Sequence, residues 1–168
     1  MKNNFVKIIG GTISTLIVIS VVTFGLVFAQ DESRDVGGGG NGRLEGTWDV
    51  QVTIRNCQTG AAIRTFASVG TFMSGGTTLD STSGTPQALK TPGQGVWSHA
   101  GGNTYNFKFK SFSFDASGNF TGWTIIKHTA NLARSGDEYE SGGTAEVYAP
   151  NGNLVFTGCS TTTATRFE

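Results

Sequence analysis

Cysteine, proline, histidine and charge are all scarce in this chain. It holds two cysteines, three prolines and two histidines in 168 residues, and Asp, Glu, Lys and Arg together make up 14%. Neither Cys57 nor Cys159 has a second Cys or a His nearby at ligand spacing, which excludes a zinc site built on them. Twelve basic residues balance twelve acidic ones, so nucleic acid and anionic membrane surfaces are poor partners. No G-x-S-x-G stretch occurs, and with it goes the strand-turn-helix nucleophile of the α/β hydrolases. Asp49, Asp115, Asp137, Glu138, Glu140 and Glu146 fall on turns or on the expected outer face of strands, leaving no paired carboxylates for glycoside chemistry. Neither a metal nor a cofactor is expected.

One long apolar run is present. Lys2 and Lys7 precede a nearly unbroken stretch from Ile8 to Phe28, closing on Val27-Phe28-Ala29. Those features fit an export signal cut after Ala29, with retention as a single membrane anchor as the alternative. Loss of residues 1–29 would leave ten basic against twelve acidic residues. Residues 30–43 are polar and Gly-rich, including Gly37 to Gly40, and read as a flexible linker. Residues 44–168 are long enough for one domain with one core. Export to a secreted, periplasmic or otherwise extracytoplasmic location favours a disulfide between Cys57 and Cys159. Membrane contact is expected only if the signal stays on the chain.

Beyond residue 29 no helical period appears, whereas strand alternation recurs with turn signals every ten to fifteen residues or so. Eight strands are predicted, at 45–55, 62–73, 77–81, 95–99, 104–114, 119–132, 138–149 and 154–167. Turns such as Asp115-Ala116-Ser117-Gly118 and Pro150-Asn151-Gly152-Asn153 join neighbouring strands as hairpins. Tyr105, Phe107 and Phe109 alternate along the fifth strand before the aromatic parity shifts to Phe112 and Phe114, which predicts a β-bulge between them. An open sheet of eight hairpin-linked strands leaves two bare edges. Closure into an antiparallel up-and-down barrel removes both.

Closure pairs the first strand with the eighth, and the two cysteines set the register. A bridge taken as directly cross-strand gives opposite residues an index sum near 216, which places Trp48 opposite position 168 and close to Arg166. Parity then puts Trp48, Val50, Val52, Ile54, Ala164 and Arg166 inside and both cysteines outside. Arginine on the face of tryptophan is a favourable cation–π contact.

Gly46-Thr47-Trp48 at the start of the first strand, with Arg166 near the end of the last, resembles the calycin signature of lipocalins, fatty-acid-binding proteins and their bacterial relatives. The resemblance implies an eight-stranded barrel whose tryptophan packs under the final-strand arginine and plugs one end, with a ligand held in the lumen. No helix is expected after the eighth strand and no T-D-Y motif occurs, so the chain is similar in equal measure to allene oxide cyclase-like barrels. That second likeness implies a cyclase or isomerase acting on a hydrophobic substrate.

A barrel offers one concave site, its lumen. Alternation lines it with Phe120, Gly122, Thr124, Ile126, His128, Ala130 and Leu132 of the sixth strand and with Tyr139, Ser141, Gly143, Ala145 and Val147 of the seventh. Val52, Tyr105, Phe107, Phe109 and Phe156 join them, while Glu138, Glu140 and Glu146 face outward. Tyr105, Phe107, Ile126, His128 and Tyr139 are the candidate ligand-binding residues for a small hydrophobic molecule. Gly46, Trp48 and Arg166 are the candidate structural plug. His128 is either a ligand contact or a core histidine satisfied by hydroxyls. Trp97 and His99 point inward or outward according to the length of the loop that follows them. If side chains fill the lumen, the barrel is instead a structural or protein-interaction module whose partner the sequence does not name.

Overall fold

A computed structural model describes residues 44–167. The expected signal at 1–29 and linker at 30–43 lie outside the described residues. Eight strands form one closed antiparallel barrel in chain order: β1 (Gly46–Arg55), β2 (Ala62–Met73), β3 (Thr77–Thr82), β4 (Gly93–Gly101), β5 (Thr104–Phe114), β6 (Phe120–Leu132), β7 (Glu138–Tyr148) and β8 (Leu154–Arg166). A single 3-10 turn, Gln87–Leu89, interrupts the loop between β3 and β4. Among the described residues no helix is long and apolar enough to cross a membrane.

β1 and β8 pair directly, so no strand is left with a bare edge. Trp48 stands opposite Arg166 and Arg55 opposite Cys159, a constant sum of 214 in place of 216. The bridge between Cys57 and Cys159 does form. It runs diagonally, because Cys57 lies past the end of β1 in the turn at 56–61 while Cys159 is still paired with Arg55. A shift of two residues preserves the side-chain period of a strand, which is why the facing of β1 and β8 survives the error in register.

The other departures lie at bulges and at the barrel end. In β5 the alternation runs unbroken from Tyr105 to Ser113, so no bulge separates Phe109 from Phe112. Ser113 pairs with Gly122 and Phe114 with Phe120, making Thr121 of β6 the extra residue. Phe112 and Phe120 therefore both lie on the outside, 44% and 42% exposed. Phe120 stacks there on Trp123, which stacks in turn on Tyr148. A similar extra residue, Val155, separates Phe156 from Leu154 in β8. Phe156 sits at the open rim, 60% exposed, and does not line the lumen.

The core occupies the opposite end, where Leu44, Trp48, Phe72, Tyr105, Ala130, Leu132, Tyr139 and Ala164 are buried together. Arg166 lies over the Trp48 ring at 4.5 Å, and Tyr139 meets that ring edge-on at 4.9 Å. Arg166 also donates to the carbonyls of Gly136 and Glu45, at 2.8 and 2.9 Å, while Trp48 Nε1 donates to Leu44 O at 2.9 Å. Gly46 has φ of +128°, and a Cβ there would come within 2.6 Å of Arg166 Nη1. Both the backbone angle and the arginine require glycine at that position. Residue by residue, the G-x-W and the arginine do at this end what the calycin resemblance implies.

Candidate functional site

Above the plug the lumen stays open. A cavity of about 290 Å³ reaches toward the end of the barrel formed by the start of β2, the end of β3 and the end of β5. Val52, Phe66, Phe107, Phe109 and Ile126 give it apolar walls. Small side chains leave the room: Gly70 and Ala145 stand at lining positions where a larger residue would project inward. That volume equals about ten waters of bulk liquid. It is at the small end of ligand pockets.

Of the five candidate ligand-binding residues, Phe107, Ile126, His128 and Tyr139 line this cavity. Tyr105 does not. It is buried lower, at the plugged end, where its ring packs at 5.8 Å from Trp97 and 5.0 Å from His99. These contacts also settle the facing of β4: Trp97 turns inward onto the core and donates from Nε1 to Met73 O at 2.9 Å. His99 follows it on the same face but is exposed at the rim, its Nε2 donating to Gly102 O at 2.7 Å. Among the described residues no group of three or more His, Cys, Asp or Glu is placed to hold a metal.

No family model, curated protein or solved structure matches this chain. Its likeness to calycins rests on Gly46, Trp48, Arg166 and the closed eight-stranded barrel.

His128 is 5% exposed and ringed by hydroxyls. Nδ1 lies 2.8 Å from Ser141 Oγ and Nε2 2.9 Å from Ser160 Oγ, and Ser141 Oγ continues to Thr162 Oγ1 at 2.6 Å. One ring nitrogen donates and the other accepts in the neutral imidazole, so two serines satisfy it without a charge. Burial pushes its pKa down to about 4. Gly143, the residue opposite it on β7, has no room for a Cβ, which would collide with the Lys127 carbonyl and the His128 ring. Tyr139 is likewise held protonated, first by burial and then by the negative charge of Asp80.

Asp80 and Lys90 are largely buried charged residues of the lumen that sequence alternation missed, as it missed Arg64 at the mouth and the hydroxyls of Ser68, Thr78, Ser160 and Thr162. Asp80 follows Thr78 and precedes Thr82 on the inner face of β3, and both neighbours are buried. Ser68 Oγ donates to Asp80 Oδ2 at 2.6 Å, while Oδ1 stands 3.9 Å from Lys90 Nζ. Their side chains are only 14% and 17% exposed. Burial raises the Asp80 pKa despite Ser68 and Lys90, and burial lowers that of Lys90 despite Asp80. Opposite Asp80, Gly93 clears the wall: a Cβ there would strike the Phe109 ring and come within 3.2 Å of Asp80 Cβ. Lys90 reaches the lumen from the β3–β4 loop, where its backbone bridges to Ser113.

Proposed function

We propose that this protein binds a small, mainly hydrophobic molecule in its barrel lumen and acts outside the cytoplasm. The observation that carries the reading is the 290 Å³ cavity walled by Phe66, Phe107, Phe109 and Ile126 above a plugged end. A barrel serving only as a scaffold has no need to leave glycine and alanine at inward positions of β2 and β7. Burial of a ligand against these walls is favourable by roughly 25 cal/mol for each Å² of apolar surface withdrawn from water. The apolar run at 8–28 and the Cys57–Cys159 bridge support export.

Native mass spectrometry of the detergent-free protein, beside a denatured run, tests the reading. An added mass lost on denaturation supports it. Bare protein that also fails to bind hydrophobic fluorophores returns the barrel to the role of an interaction module.

Catalysis on a confined hydrophobic substrate is a second reading, and Asp80 is the specific observation in its favour. A desolvated carboxyl beside a lumen is the group such chemistry would need. Turnover abolished in Asp80→Asn, with ligand binding retained, would establish it.

A further inference from the structure

We infer that the lumen is selective for neutral hydrophobic molecules bearing one hydroxyl group, which docks between Asp80 and Lys90. The inference rests on the proposed lumen-binding function and adds the chemical class of the ligand. Three features of the cavity carry it.

Geometry comes first. Asp80 Oδ1 and Lys90 Nζ are 3.9 Å apart, too far for a hydrogen bond between them. A single oxygen can stand about 2.8 Å from both atoms, with an angle of about 90° between the two contacts. A ligand hydroxyl there donates to the carboxylate and accepts from the ammonium. Ser68 already occupies Oδ2 and holds the carboxylate in place, leaving Oδ1 as the acceptor facing a partner.

Charge narrows the class. A carboxylate ligand would pair with Lys90 but press against Asp80, and an ammonium ligand would pair with Asp80 but press against Lys90. The pair as a whole is neutral, and it stays neutral if the proton moves from Lys90 to Asp80. It therefore favours a group that is itself uncharged and both donor and acceptor. A ligand with no polar group would cover both side chains and give them nothing in exchange for water.

The remaining walls fix the body of the ligand. Phe66, Phe107, Phe109, Val52 and Ile126 are apolar, and the further charge at the cavity, Arg64, is exposed at its mouth, where the guanidinium lies over the Phe66 ring and donates to Gly84 O. The volume accommodates one or two fused rings or a short branched chain. His128 does not compete for the head group, because both of its ring nitrogens are within hydrogen-bond distance of serine hydroxyls.

The experiment uses four probes of one shape: 2-naphthol, naphthalene, 2-naphthoate and 2-naphthylmethylammonium. Each is titrated into the full chain at neutral pH. Amide chemical shifts of Phe109 and Ile126 localise binding to the lumen. The expected result is that 2-naphthol binds about tenfold or more tightly than each of the other three. Asp80→Asn should turn the preference toward 2-naphthoate and Lys90→Met toward 2-naphthylmethylammonium. Naphthalene bound in the lumen as tightly as 2-naphthol overturns this inference and leaves the binding function standing. Failure of all four probes to shift Phe109 and Ile126 overturns both. If neither variant folds, the ranking of the four probes on the unmodified chain decides alone.

Discussion

His128 should make the fold acid-sensitive, and the size of the effect follows from its surroundings. A histidine whose pKa falls from 6.5 in the unfolded chain to about 4 in the barrel binds its proton more readily when unfolded. Stability from this residue is then fully present above pH 6.5 and is lost as pH falls toward 4. The slope in that window approaches 1.4 kcal/mol per pH unit, and the whole loss is about 3 kcal/mol. That is a substantial part of the stability of a domain this size.

Serine hydroxyls can rotate to accept from a charged imidazolium, so the hydrogen bonds by themselves do not oppose protonation. Desolvation does. The ring is surrounded by Ser141, Ser160, Gly143 and the Phe107 ring at 5.4 Å, and among the described residues its hydrogen-bond partners are serines and no carboxylate. Asp80 acts in the opposite sense. Its raised pKa means that the folded state takes up its proton first, adding stability as pH falls through that range. The assay is therefore a comparison: urea unfolding free energies of the unmodified protein and of His128→Gln at several values between pH 7 and 4.5. The unmodified protein should lose about 1.4 kcal/mol more per pH unit than the variant in the middle of the window. Parallel pH profiles would refute the argument, since all other titrating groups are common to both.

Three further perturbations test the frame around the site. Trp48→Ala removes a fully buried ring that touches both Arg166 and Tyr139 and should cost about 3–5 kcal/mol in denaturant unfolding. An unchanged midpoint would show that the plug is not part of the stable core. Replacing Cys57 and Cys159 together by serine opens a closure spanning 102 residues, for which chain entropy gives a loss of about 4–5 kcal/mol; the linked peptide should appear by mass spectrometry under non-reducing conditions and vanish on reduction. Gly143→Ala must displace the Lys127 carbonyl or the His128 ring. It should lower stability by about 1–3 kcal/mol, and a fully stable Gly143→Ala would mean that β6 and β7 are not paired as described.

Strand number, barrel closure and the inward facing of Trp48, His128 and Arg166 were legible in the sequence because each depends on a period of two sustained over ten or more residues. Places where the period breaks were not. Thr121 and Val155 each add one residue to one side of a hairpin. A threonine and a valine are ordinary strand residues that carry no sign of being unpaired. The consequence at Thr121 was local, turning Phe120 outward without disturbing His128. Val155 shifts only Leu154, and Phe156 keeps the register of Gly158 and Ala164 and is exposed because it stands at the end of the barrel. The register error had a different origin. Two cysteines can bridge from a turn to a strand as readily as across a ladder, so the sum of their indices fixes the register only to within about two residues.

Asp80 escaped notice for a reason that bears on what the lumen does. Alternation assigns charged residues to the solvent face because burying a charge without a partner costs several kcal/mol, and that rule places Asp49, Glu138 and Glu140 correctly. It fails at β3, where Asp80 shares the inner face with two buried threonines. The partner that makes the position tolerable, Lys90, comes from a loop ten residues later that no period could align. Even so, the two stand 3.9 Å apart, and among the described residues the close hydrogen bond to the carboxylate comes from Ser68. Stability alone would favour an apolar residue at such a site, or a closer pair. A half-satisfied ion pair on a cavity wall is destabilising by itself, and the proposed docking of a neutral hydroxyl is what would make it favourable. On the proposed function, the expense of keeping it is what would link Asp80 and Lys90 to ligand choice, with the aromatic walls supplying only affinity.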